Sequence, residues 1–493
     1  MDKLRIAFVS PEVVPFAKTG GLADVAGALP TALQRRGHAV SVFMPLYAVV
    51  DAAGFNISQV KSNLKAGIDE SSERFDLYHC RLPGSDCDYY FIKNDHYFAR
   101  KGFYVSPETG KDWEDNHLRF AFFARAVLRS LIDLDLRPDI IHCNDWQSGL
   151  IPAYLKTDAD WAVLFPSAKT VLTIHNIGYQ GLFPAESFAK LGFKQELFFP
   201  AGPFEFYGKL NFLKAGIEYS DILSTVSPRY AAEIQQAEEF GCGLEGVLKR
   251  RSADLFGILN GADYDIWNPA TDSFIAANYD SGKLAGKAKN KLALRRMVKL
   301  PSVRRDVPLI GMISRLTPQK GFDLIAEVKD ELFELDIQMV VLGTGDAAYE
   351  NLLQELAGKY PKKLAVALKF DDKLAHLIEA GSDIFLMPSR YEPCGLNQIY
   401  SLRYGTVPIV RETGGLADTI EDFNPARNTG TGFVFKDYSS RELLKTIKFA
   451  VEVYKNKPLW SDLMRRGMAK DYSWNYAAGK YEGIYRLALE RGR

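Results

Sequence analysis

Arg315 and Lys320, five positions apart in SRLTPQKG, are residues whose types and spacing suit anion chemistry. They flank a proline turn after the apolar run LIGMI (309–313), and Lys320-Gly321 leads into a helical pattern at Phe322, Ile325 and Ala326. A guanidinium leaving a strand end and an ammonium beside a helix N-terminus can together neutralise a diphosphate where water is scarce. Solvated surface residues are the alternative for any such pair. Glu392 and Cys394 stand in PSRYEPCG after DIFLM (383–387), Asn144-Asp145-Trp146 follows DIIHC (139–143), and His175-Asn176 follows TVLTI (170–174). The hexapeptide TGGLAD occurs twice, at 19–24 and at 413–418. Adjacent glycines admit positive φ and close approach of a ligand, and the amphipathic residues that follow make each copy a loop entering a helix, where unpaired N–H groups favour an anion. A glycine-permitted turn with no ligand is the other reading of each copy.

The elements that must position these residues are short apolar runs alternating with helical patterns. Besides those above they include IAFVS (6–10), ILSTV (222–226), FGILN (256–260), MVVLG (339–343) and VPIV (407–410). Such runs indicate an α/β protein with parallel sheet buried on both faces, in which ligands bind beyond the carboxyl ends of the strands. The residues singled out all follow runs of this kind. Asp86/Asp88 and Asp133/Asp135 match a loose metal-binding pattern but lie in a polar turn and a helix end, and both read as structural. Gly343-Thr344-Gly345 reads as a tight strand-to-helix turn, and His142, inside a strand, as a core histidine.

At 493 residues, two domains are expected. Lys plus Arg equals Asp plus Glu at 61 each, so no basic field points to nucleic acid or an anionic membrane. Five scattered cysteines with no C-x-x-C pair suit a reducing compartment and no structural zinc. MDKLRIAFVSPE enters a strand within a few residues, and no apolar run is long enough to cross a bilayer. A cytoplasmic location is the expectation.

KTGGLADV, HNIGYQG, ILNGADYDIWNP, SRLTPQKG, PSRYEPCGLNQ and RETGGLAD, in this order, resemble the bacterial glycogen synthases and plant starch synthases, from about residue 5 to SWNYAAGKYEGIYR near the C-terminus. The resemblance implies a GT-B architecture of two Rossmann-like, doubly wound domains facing a deep interdomain cleft. The expected domains are 1–256, joined by a last helix at 473–493, and 257–472. It implies transfer of glucose from ADP-glucose to the non-reducing end of an α-1,4-glucan (glycogen), with retention and with neither metal nor cofactor. Carried over by position, Arg315 and Lys320 stabilise the diphosphate leaving group. Glu392 binds the glucosyl hydroxyls, with Cys394, Gly395 and Leu396 in the same loop. Lys18, Gly20 and Gly21 contact the donor, His175 lies by the transferred sugar, and Asp24 and Asp145 line the sugar and acceptor end. Phe370 stacks on the base, Gly414 and Gly415 cap the diphosphate, and Thr413 joins the substrate-binding set, as does Asn260 of ILNGADYD.

Two positions depart from the family pattern. Asn397 stands where Thr or Ile is common, and Tyr400 stands where related glycosyltransferases carry a second Glu. Both bear on nucleotide preference, and ADP-glucose against UDP-glucose stays open on the residues alone. A covalent intermediate needs a second carboxylate opposite the first. No strong candidate stands out, so front-face displacement is expected. The aromatic segment 94–119 has two readings, a glucan-contacting surface or a long loop packed on its own rings. A two-domain epimerase and a non-catalytic glucan-binding protein are the rival functions.

Overall fold

The computed structural model of the chain describes residues 3–67, 73–301 and 306–491. They form two compact units, one of Met1–Val226, Ala231–Gly261 and Trp474–Arg493, the other of Ser227–Tyr230 and Ala262–Ser473.

Among the described residues the first unit holds a nine-stranded sheet. From one edge its strands are Leu255–Gly257, Ile222–Thr225, Lys169–Ile174, Ile140–Asn144, Arg5–Val9, Ala39–Pro45, Asp88–Lys93, Arg74–Cys80 and Ser58–Lys65. The first seven run parallel, and the last two pair antiparallel. The apolar runs of the sequence report five of the seven parallel strands and miss Ala39–Pro45 and Asp88–Lys93. The antiparallel edge escaped them because Ser58–Lys65 is exposed over most of its length and carries no apolar run. Arg5–Val9 lies between Ala39–Pro45 and Ile140–Asn144, so the connections leave it in opposite directions. That reversal opens a crevice beyond the carboxyl ends of Arg5–Val9 and Ile140–Asn144. The loop with Lys18, Gly20 and Gly21 follows the first of these strands, and Asp145 follows the second.

The second unit has six parallel strands, in the order Leu364–Ala367, Gln338–Leu342, Leu309–Ile313, Ile384–Met387, Val407–Arg411 and Phe433–Phe435. Counted along the chain this is 3-2-1-4-5-6, the doubly wound dinucleotide-fold order, with its switch point between strands one and four. Strand alternation explains the two cores: Ile310 and Met312 pack with Leu324, Ile325 and Leu332 on one face, while Leu309 packs with Phe385, Leu377 and Ile378 on the other. The loop with Arg315 and Lys320 leaves strand one, and the loop with Glu392 leaves strand four.

The division between units differs from the sequence expectation by a few residues. Leu255–Gly257 pairs with Ile222–Thr225 as the edge of the first sheet, so the first unit runs on to Gly261. Asn260 therefore belongs to the first unit and not, as its expected domain would have it, to the second. The chain returns to the first unit at Trp474, where the helix Trp474–Glu490 begins. Its buried stripe of Trp474, Ala477, Ala478, Tyr481, Ile484, Tyr485 and Ala488 follows helical spacing and packs against the helix Gly21–Arg35 and the strand Lys169–Ile174.

Polar contacts then lock that helix in place. His142 accepts its expected core role, bonded to Tyr485 at 2.7 Å and to Thr173 at 2.6 Å. Glu482 takes a bidentate bond from Arg36, both contacts at 2.8 Å, and a further one from His38 at 2.9 Å. The Arg36 guanidinium is the main cause that holds the Glu482 carboxyl down at about 2. A depressed carboxylate stabilises the fold above its unfolded pKa and loses that contribution as pH falls through the folded value. Glu482→Gln is expected to lower the Tm at pH 7, and the gap from the parent protein should narrow as thermal scans move from pH 5 toward pH 3.

Candidate active site

At the switch point of the second unit two loops are tied by an ion pair. Lys320 ends the short turn Pro318–Lys320, and its Nζ lies 2.5 Å from Oε2 of Glu392. Both side chains are largely buried, 16% and 8% exposed. Ser389 also donates to Glu392 Oε2, at 3.1 Å. Oε1 has no protein donor among the described residues. The backbone reinforces the pairing: Arg390 N–H donates to the Gln319 carbonyl at 2.8 Å, and the Gln319 amide donates to the Tyr391 carbonyl at 3.1 Å. Gly321 adopts φ of 76°, and a Cβ there would lie 2.1 Å from the Pro388 carbonyl oxygen. Only glycine lets the two loops come this close.

Arg315 is exposed and forms no ion pair or side-chain hydrogen bond among the described residues. Phe370, beyond the strand Leu364–Ala367, is 85% exposed, an unusual position for a phenylalanine. Cys394 is buried, while Gly395, at φ 71°, and Leu396 are half-buried and lead into the helix Asn397–Arg403. Asn397, one of the departures from the family pattern, donates to the Ile313 carbonyl at 2.7 Å and so ties that helix to the strand end just before Arg315. Tyr400 is buried and stacks on Trp267 at 4.1 Å between ring centroids.

The second TGGLAD opens a short helix, Gly414–Thr419. Thr413, Gly414 and Gly415 are all buried. The Gly415 N–H is already given to the carbonyls of Glu392 (3.1 Å) and Pro393 (3.2 Å), and those of Leu416 and Ala417 to Thr413. A Cβ on Gly414 would lie 2.0 Å from the Glu392 carbonyl oxygen, and one on Gly415 2.2 Å from that of Cys394. Of Gly414 and Gly415, expected from the sequence to cap the diphosphate, Gly415 has its N–H engaged within the protein. Its N–H is spent on the Glu392 loop, which the glycine pair supports from behind.

The first TGGLAD is the opposite case. The helix Gly21–Arg35 starts at its glycines, and a Cβ on Gly20 or Gly21 would meet nothing within 4 Å. The N–H groups of Gly20, Gly21 and Leu22 have no acceptor among the described residues, so this turn offers open donors at a 15-residue helix N-terminus. Lys18 pairs with Asp24 at 2.7 Å across the turn. Glu12, which sequence reasoning missed, anchors it. This buried carboxylate accepts from both the N–H and the hydroxyl of Thr19 and from Tyr104 Oη at 2.6 Å. Only a long-range contact exposes that role, since Glu12 sits in no recognisable spacing.

Beside this turn lie Asp145 and His175, both buried. Asp145 takes φ of 54°, and its Oδ1 accepts the His175 N–H at 2.7 Å. Burial pushes its carboxyl up to about 7, against the pull of the His175 and Asn176 N–H groups. Burial pushes the His175 ring down to about 3, so it is neutral at physiological pH. Asn144 gives its amide to the Val9 carbonyl at 3.0 Å and therefore accepts from His175 Nε2 at 2.9 Å. That places the proton on Nε2 and leaves Nδ1 an acceptor. Asn260 is buried with its Oδ1 unpartnered among the described residues.

Residues 5–250 match the starch synthase catalytic domain, and residues 300–459 match the group 1 glycosyl transferases. Curated glycogen synthases of Thermotoga maritima and Koribacter versatilis are 47% and 50% identical to the chain, each over 99% of both sequences. The catalytic domain of Starch Synthase IV from Arabidopsis thaliana, solved with ADP and acarbose bound, superposes with a TM-score of 0.89 at 32% identity over 99% of this chain and 100% of that one. The chain belongs to the glycogen and starch synthase family. It is a retaining glycosyltransferase of the GT-B class, made of two Rossmann-like units. Sucrose-phosphate synthase from Thermosynechococcus elongatus, at 17% identity and a TM-score of 0.60, shares the fold.

Other residues of this synthase fall to structural roles. Asp88 pairs with Arg81 and His79, and Asp133 with Arg129. Gly345 precedes the helix Ala347–Lys359, close against the Leu316 backbone. In the segment 94–119, buried Arg119 bonds the carbonyls of Tyr97 and Phe103, each at 2.8 Å, while Phe103 packs edge-on to Tyr47 outside the segment. No group of three His, Cys, Asp or Glu among the described residues could hold a metal ion.

The two hexapeptides make a paired test. Gly415→Ala is expected to lower the Tm by several degrees, because its Cβ must displace the Glu392 loop. Gly21→Ala is expected to leave the Tm within about a degree, since alanine is the better helix residue and the space is open. Equal melting losses in the two variants would contradict the assignment.

Proposed function

We propose that this synthase takes ADP-glucose as donor and extends an α-1,4-glucan such as glycogen at its non-reducing end. The observation that carries the reading is the Lys320–Glu392 pair at a switch point, with Arg315 exposed at the end of strand one. That set supplies positive charge for a diphosphate and a carboxylate oxygen for sugar hydroxyls, the two ends of a nucleotide sugar. The Arabidopsis relative that holds ADP supports adenine as the base, for which exposed Phe370 offers a stacking face. In the first unit, the open N–H groups at Gly20 and Gly21 and the side chains of Lys18 and Asp24 serve the donor and sugar. Asp145, neutral His175 and Asn260 complete the substrate-binding set.

The chemistry follows from the leaving group. As the bond from the anomeric carbon to the phosphate oxygen stretches, charge builds on the diphosphate, and preorganised cations stabilise it more than they stabilise the ground state. Arg315 and Lys320 take that role without a metal ion. Glu392 orients the sugar, and front-face attack by the acceptor hydroxyl accounts for retention without a covalent intermediate. As the new glycosidic bond forms, the proton of the acceptor hydroxyl passes to the departing phosphate oxygen. A reducing, cytoplasmic location fits five cysteines that form no disulfide.

Incorporation of labelled glucose into glycogen, measured from ADP-glucose and UDP-glucose in parallel with a chelator present, tests the proposal. Strong incorporation from ADP-glucose despite the chelator is expected. Preference for UDP-glucose would overturn the donor assignment, and loss of activity with chelator would overturn metal independence. Arg315→Ala is expected to reduce kcat by about 10²–10³-fold with the Tm unchanged.

A further inference from the structure

Lys320 reaches its ligand with a carboxylate already attached. Its ammonium lies 2.5 Å from Glu392, and with both groups mostly out of water the pair is close to neutral as seen by a nearby anion. A site built only to hold a diphosphate would leave that lysine uncompensated. We propose that Glu392 sets the discrimination between donor and product, weakening the hold on the nucleoside diphosphate that remains after glucosyl transfer. This rests on the reading of the site given above.

Charge accounting supplies the physical basis. In the donor the terminal phosphate is a diester-like group whose outer oxygen is bonded to glucose, and Glu392 faces neutral sugar hydroxyls. When that bond breaks, the phosphate oxygen keeps the electron pair and takes the acceptor hydroxyl's proton; once that proton is released to solvent, the product carries about one additional negative charge on the oxygen that had been bonded to glucose. The carboxylate of Glu392, fixed by Lys320 and Ser389, then stands toward an anion where it had faced a sugar. The added repulsion falls on the product alone, because only the product bears the extra charge. The carboxylate cannot easily swing away, since the Glu392 carbonyl is clamped by Gly415 and its loop by Gln319.

Calorimetric titration of the whole protein with ADP tests this. Glu392→Gln keeps the size and hydrogen-bonding capacity of the side chain while removing its charge. It is expected to bind ADP at least tenfold more tightly than the parent, about 1.4 kcal/mol, with catalytic turnover reduced. A second measurement needs no substitution: ADP methylated on its terminal phosphate has one charge fewer, and the parent protein is expected to bind it at least as tightly as ADP. Unchanged or weaker ADP binding by Glu392→Gln, or a clear preference of the parent for ADP over the methyl ester, would overturn the inference and leave the proposed function standing. Failure of the parent protein to bind ADP at all would overturn both.

Discussion

The contact between Lys320 and Glu392 joins two loops that leave neighbouring strands of a parallel sheet, and most of the second unit's candidate site is arranged around it. A buried ion pair is a poor source of stability, because desolvating both groups offsets most of their attraction, yet removing either partner leaves a buried charge uncompensated. The pair therefore costs little while it is intact and much when it is broken. The backbone bonds between residues 319 and 390–391, the glycine contact at Gly321 and the glycine pair behind the Glu392 loop all keep those two side chains at one separation.

The first unit solves a different problem with the same strand-end geometry. Its open N–H groups at Gly20 and Gly21 are useful only if the turn is held in place by something other than the turn itself. Glu12 does that from the buried side, accepting from Thr19 on both of its oxygens while Tyr104 also donates to Oε1. Asp145 and Asn144 do the same for His175, one through its backbone N–H and the other through its ring. In both cases a buried side chain satisfies the protein side, leaving a backbone or ring atom with unused capacity.

The C-terminal helix shows how far sequence order and packing can part. Trp474–Glu490 follows the second unit in the chain, but its apolar stripe and its bonds to Arg36, His38 and His142 belong to the first. The buried stripe supplies the packing area. The Glu482 and Tyr485 contacts select one rotation of the helix about its axis, because burying either group unpaired would be costly.

The sequence by itself determined the α/β class, most strands of the two parallel sheets though not Ala39–Pro45, Asp88–Lys93, Leu364–Ala367 or Phe433–Phe435, and the strand-end positions of Arg315, Lys320, Glu392, Asp145 and His175. It could do so because parallel strands buried on both faces need unbroken apolar residues, and because chemistry can emerge only where such a strand ends. The family followed from long motifs in fixed order. Tertiary structure alone decided what depends on distant partners: the anchoring by Glu12, the exposed antiparallel edge, the place of Asn260 in the first unit, and the clamp around Glu392. It also separated two identical hexapeptides. TGGLAD is open at 19–24 and enclosed at 413–418, and six residues cannot encode that difference, since a glycine's role is set by what the rest of the fold brings within reach of its missing side chain.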